Sequence, residues 1–147
     1  VSELMAEINL SDMVGGEKPK EDGGLWRVLE PCVGAGGMLL ACMRVVARKY
    51  GTEALKHWSF TGNDLDGFCT RMWALQALSN AYVHRVEIGE IAALQGNGLS
   101  LNDAEVVMWA QSRSVSHRAS GQAAPQPRHA KEVADRIEAA SRHLLAA

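Results

Sequence analysis

Three short stretches of the chain carry residue types suited to ligand chemistry: Gly34-Ala35-Gly36-Gly37, Gly62-Asn63-Asp64 and Gly96-Asn97-Gly98. The first is almost bare backbone, with Ala35 as its only side chain. Backbone without a Cβ takes positive φ and lets another molecule approach its N–H groups. An apolar run starts at Met38, so the unpaired donors of a helix N-terminus face the same turn and favour an anion there. The same glycines would serve close helix–sheet packing, and spacing alone does not separate the two. Asp64 is placed to accept hydrogen bonds from both hydroxyls of a ribose; the alternative is a helix N-cap, for which Asp66 stands better. Asn97 offers an amide to an adenine edge, or serves as a turn residue. Together the three stretches describe a nucleoside with an anionic or zwitterionic tail. The full G-x-G-x-x-G spacing and the Lys-Ser/Thr of a P-loop are both missing, which weighs against a dinucleotide or a nucleoside triphosphate.

These stretches need strands to deliver them. Residues 25–30 (LWRVLE) alternate and carry β-formers, predicting a strand that ends at Pro31 and the glycine turn. Residues 57–64 predict a second strand, and 84–99 should hold a third before Gly96. Between them, residues 38–51 predict a helix with Leu39, Met43, Val46 and Tyr50 on one face and Gly51 as C-cap. A second helix spans 67–83, with Met72, Leu75, Leu78 and Tyr82 at helical spacing. The alternation predicts βαβ units and a parallel sheet, whose ligand site lies beyond the carboxyl ends of the strands where strand order reverses. A short helix over 2–14, with Leu4, Met5 and Ile8 on one face, precedes the loop 15–24. The stretch 103–114 reads either as a fourth strand or as a helix capped by Asn102 or Asp103. Residues 111–128 hold four serines and two prolines and predict a linker or mobile loop after a first domain at 1–110. Residues 129–147 repeat apolar positions at Val133, Ile137, Ala140 and Leu144, an amphipathic helix that needs a partner surface.

Composition narrows the classes. The chain has 147 residues, 47% of them hydrophobic, enough to bury a core without staples. No apolar run approaches the ~20 residues of a membrane span. The first ten residues have two glutamates and no basic stretch, unlike a secretory signal, and the missing initial methionine leaves room for a longer protein. Cys32, Cys42 and Cys69 are odd in number and show no Cys-x-x-Cys spacing, which predicts free thiols in a reducing cytoplasm. The five histidines form no metal-ligand pattern, so no metal site is expected. Residues 1–110 hold nine basic against fourteen acidic residues, and 111–147 hold six against three. That mildly basic tail is too weak a signal to specify nucleic acid.

LEPCVGAGGMLLA, residues 29–41, resembles the S-adenosylmethionine loop of adenine-specific DNA methyltransferases, Asp-Pro-Ala-Cys-Gly-Ser-Gly-Gly-Met/Phe-Leu. This form is characteristic of the modification subunits of type I restriction systems and their plasmid or phage relatives. Residues 59–85 resemble the family's Gly-x-Glu/Asp turn and following helix. GNGLSL, from Gly96, resembles its Gly-Asp/Asn-Ser/Thr-Leu turn, and VSELMAEI the helix after its Thr-Pro segment. The resemblance covers about residues 1 to 101. It implies a partial Rossmann-like α/β methyltransferase sheet of three or four mostly parallel strands with flanking helices, plus the C-terminal helix. It also implies S-adenosylmethionine as cofactor, with Glu30, Pro31, Gly34 and Gly36 around its methionine part, Asp64 at the ribose and Asn97 facing the adenine.

The departures carry as much information. The family's catalytic motif, Asn/Asp-Pro-Pro-Tyr/Phe after a fourth strand, accepts hydrogen bonds from the target amino group and stacks on a flipped base. This chain has no Pro-Pro, and Gln111, Ser112 or Arg113 stands where the motif belongs. No catalytic residue can be assigned, so a methyltransferase-like protein incomplete on its own is expected. The alternative is a non-enzymatic interaction protein on the same scaffold, such as a phage- or plasmid-encoded inhibitor of a nucleic-acid-targeting defence system. DNA or a protein component of a restriction complex would then be the partner. A sheet this short leaves an edge and part of a face uncovered, which predicts a homodimer with the tail helix at its interface.

Overall fold

Two strands rich in β-formers pair in parallel through the middle of the chain. They are β1 (Trp26–Glu30) and β2 (Trp58–Asp64), in register from Trp26 against Trp58 to Glu30 against Gly62. The computed structural model describes residues 2–11, 14–99 and 104–112. Within them the order is α1 (Ser2–Leu10), β1, α2 (Gly37–Tyr50), a 3-10 helix (Thr52–His57), β2, α3 (Gly67–Val83), β3 (Glu90–Gln95) and β4 (Glu105–Gln111). β3 runs parallel to β2, and β4 runs antiparallel to β3 with an irregularity between Ala93 and Leu94. The result is an α/β fold with an open, mostly parallel sheet in the order β1-β2-β3-β4. No described helix is long and apolar enough to cross a membrane.

Alternation along β2 divides the sheet into an apolar and a polar face. Trp58, Phe60 and Gly62 point to the helices: Trp58 stacks with Phe60 and with Tyr50 of α2, and Gly62 lies against Trp73 of α3. Trp58, Phe60 and Trp73 are fully buried, and large rings of this kind dominate core energetics. Trp58 donates its indole N–H to the Gly16 carbonyl, which ties the loop before β1 to the core. The opposite face carries Ser59, Thr61 and Asn63. Ser59 donates to Glu90, and Glu90 also accepts from the Trp109 indole, so this buried carboxylate is satisfied across three strands. α1 packs on α2, where Arg48 pairs with Glu3 and Glu7.

Two expectations change and one open alternative closes. α1 buries Ala6 and Leu10, not the stripe of Leu4, Met5 and Ile8, which are exposed. α3 is turned over: Thr70, Trp73, Ala74 and Ala77 face the sheet while Leu75, Leu78 and Tyr82 face outward. On this side the Trp73 ring packs against Gly36 and Gly62, and its buried neighbours Ala74 and Ala77 are small. Residues 103–114 contain a strand rather than a helix, but it does not lie beside β1, where the strand order of a doubly wound sheet would reverse. The connection 96–104 is shorter than the dozen or so residues of a parallel crossover, so β4 returns as an antiparallel neighbour of β3. No described strand pairs with the outer edge of β1. The linker beyond Ser112 and the helix predicted over 129–147 lie outside the described residues.

Ala77→Leu distinguishes the observed orientation of α3 from the one that the spacing of its large residues predicts. Facing the sheet, the added bulk should destabilise by about 1–3 kcal/mol, as overpacked cores do. Urea unfolding of the two proteins measures it; an unchanged midpoint would put Ala77 on the outside.

Candidate functional site

The carboxyl ends of β1, β2 and β3 bring the three glycine-containing turns together, and two neighbouring side chains tie them. Asn63, fully buried, donates its amide to the carbonyls of Pro31 (3.1 Å) and Gly96 (3.0 Å). Asp64 accepts the N–H of Gly34 at 2.8 Å and that of Asp66 at 3.0 Å. Backbone bonds follow the same route, Val33 to Asn63 at 2.8 Å and Gly96 to Asp64 at 2.9 Å. Gly98 is pressed against Pro31, whose carbonyl oxygen would lie 2.4 Å from any Cβ placed there. The Asn63 Oδ1 is the one buried side-chain acceptor at this end that has no partner among the described residues.

The glycines of the first turn divide by role. Gly36, at φ 93°, caps α2, and a Cβ on it would meet the Trp73 ring at 2.6 Å. It makes room for the core. Gly34, at φ 52°, and Gly37 would direct a Cβ into open space. The turn's donors are largely spent inside the protein: Cys32 N–H on the Glu30 carboxylate, Val33 on Asn63, Gly34 on Asp64, Gly36 on Val33. Gln76 of α3 holds the Ala35 carbonyl at 2.7 Å. The donors that remain are those of the first turn of α2, which no side chain caps.

The structure places Glu30, Pro31, Gly34, Gly36 and Asp64 at the carboxyl ends of β1 and β2, with Asn97 on the adjoining turn after β3. Asn97 holds the turn itself, its Oδ1 accepting the Leu99 N–H at 2.9 Å. Asp66 caps α3 by accepting the Phe68 N–H at 2.8 Å, as the spacing predicts. Asn63 was not among the predicted site residues. Its signal was a polar residue at an inward position of a strand end, where a buried amide must find partners. Gln111 and Ser112 lie at the opposite end of the sheet, since Gln111 pairs with Glu90 at the start of β3. They stand far from the turns as a matter of register. Burial, with Glu30 adding to it, pushes the Cys42 thiol up; desolvation, with Asp64 and Asp66 beside it, does the same to Cys69. Neither is an activated nucleophile. No group of three metal-ligating residues occurs among the described residues.

Substituting asparagine at the two positive-φ glycines separates packing from openness. Gly34→Asn should cost less than about 1 kcal/mol, because Asn tolerates the left-handed region. Gly36→Asn should cost about 2–4 kcal/mol, since the same backbone carries the clash with Trp73 as well. Equal urea midpoints for both variants would remove that distinction. Among known proteins, no family model, curated protein or solved structure matches the chain.

Proposed function

We propose that the chain is the cofactor-binding half of an adenine-methyltransferase-like protein, holding S-adenosylmethionine at the strand-end turns and unable to methylate DNA alone. The observation that supports this reading is the joining of the three turns at Asn63 and Asp64, which brings together segments some 30 residues apart. The residues fit the group. Gly34 and Gly37 leave open space, and the uncapped first turn of α2 suits the charged amino-acid end of the cofactor. Glu30 and Pro31 border that end. Asp64 has accepted two N–H bonds, and a carboxylate has about four acceptor positions, so it retains capacity for the ribose. Asn97, engaged in its turn through the oxygen, keeps its amide donors for an adenine nitrogen. When bound, the cofactor supplies an activated methyl group; no residue at this mouth supplies the acceptor and aromatic platform that transfer to adenine needs.

A second reading is favoured by the sheet. The order β1-β2-β3-β4 has no reversal among the described residues, so the mouth has a wall on one side only. A protein that keeps the scaffold for its surfaces, and acts by binding a component of a restriction or defence complex, would tolerate that. Affinity for the cofactor separates the two.

Calorimetric titration with S-adenosylmethionine and its demethylated product should show saturable binding. Asp64→Ala should weaken it about 10- to 100-fold, the worth of hydrogen bonds to a charged group. Asp66→Ala removes only a helix cap and should lower stability by about 1 kcal/mol with affinity unchanged. Absence of binding at millimolar cofactor to folded protein rejects the cofactor reading and leaves the interaction protein.

Radiolabelled methyl transfer to DNA by the purified chain should stay at background. Transfer that Asp64→Ala abolishes would contradict the assignment of an incomplete enzyme.

A further inference from the structure

α3 is apolar on both sides. Its inner side is buried, and its outer side presents Phe68, Leu75, Leu78 and Tyr82 in one stripe, with Leu75 63% and Tyr82 86% exposed. Arg71 and Ser79 stand within this outer sector, but a helix with a second apolar stripe can hold a second layer, and the described residues supply only one. The end of the described chain lies beside this stripe. Ser112 donates its N–H to Gly89 at 3.0 Å and its hydroxyl to Glu87. Glu87 lines an open depression with Tyr82, Val83 and Val86 at the carboxyl end of α3. The chain therefore leaves the body at the foot of the exposed stripe.

We infer that the segment 129–147 of the same chain docks along the outer face of α3. Its apolar positions Val133, Ile137, Ala140 and Leu144 recur at helical spacing and supply the missing layer. Residues 113–128 connect the two, and a chain of 16 residues with the statistics of a random coil would have a root-mean-square span of about 20–24 Å. The 17 residues of α3 are about 25 Å long, so the segment reaches either end of the stripe. A tether of this length presents the segment at an effective concentration on the order of millimolar. A second copy at tens of micromolar competes at a disadvantage of roughly 100-fold. The tail thus covers its own molecule in preference to a dimer partner.

Hydrogen exchange of the intact chain tests this. Amides of 131–144 should exchange at least about tenfold more slowly than in an isolated 129–147 peptide, independently of protein concentration. The double variant Leu75→Glu, Leu78→Glu should abolish the protection. Ile137→Glu, which leaves the body untouched, should abolish it too and guards against a double variant that fails to fold. Exchange at the peptide's rate in the wild type overturns the inference, as does protection that survives Ile137→Glu. Protection that rises with protein concentration, together with a dimer in sedimentation, assigns the stripe to a second copy and overturns it as well.

Discussion

The arrangement at the carboxyl ends of the strands hangs on one buried side chain. Asn63 bonds the carbonyls that start the first and the third turns, so the ends of β1 and β3 are tied across β2. A buried amide holds such a position only because its donors are both used; each unmade bond would cost about 1–3 kcal/mol. Asp64, next in sequence and on the opposite face, then reaches the glycine turn. Adjacent residues of one strand thereby address both faces of the sheet end. The three turns are thereby held to one another.

The legible part of this protein was the part written in local backbone chemistry. β-formers before Pro31, the helix spacing of Leu39, Met43 and Val46, the C-cap at Gly51 and the N-cap at Asp66 all predict elements that the structure contains. What local spacing did not show was which side faces in. In α1 and α3 the large apolar residues form a stripe, yet Ala6 or Ala74 and Ala77 lie inside. Close approach of a helix to a sheet already filled with Trp58, Phe60 and Trp73 rewards small residues, and that pressure comes from the other elements. The role of Gly36 was hidden for the same reason: its neighbour Trp73 is 37 residues away in sequence. Likewise the fourth strand could be recognised by composition, whereas its direction depended on the length of the connection before it.

The same distinction applies to the candidate site. Asp64 and the glycines are recognisable from type and spacing, because a carboxylate after a strand and a bare turn are rare in combination. Whether they serve a ligand depends on how many of their bonding positions the fold itself consumes, and this is a property of the assembled turns. Here the fold consumes most of the turn's N–H groups and leaves the first turn of α2 and part of Asp64. A ligand at this mouth would be held mainly by the helix terminus and the carboxylate, and only weakly by the loop between them.

β1 borders this mouth and is also the strand whose outer edge no described strand occupies. In a doubly wound sheet the crevice for a ligand forms between the first strand and the neighbour that lies across the reversal. Without that neighbour the ligand has one wall, and more of its surface stays in water. If this edge is left open beside the glycine turn, it would present a row of backbone groups as a template for an additional strand. A strand added there would complete the crevice and cover the edge in a single step. Were a ligand held at these turns and a strand at this edge, each would lower the cost of the other, by linkage equally in both directions. The proposed cofactor-binding module and the alternative interaction protein would both draw on this same end of the sheet.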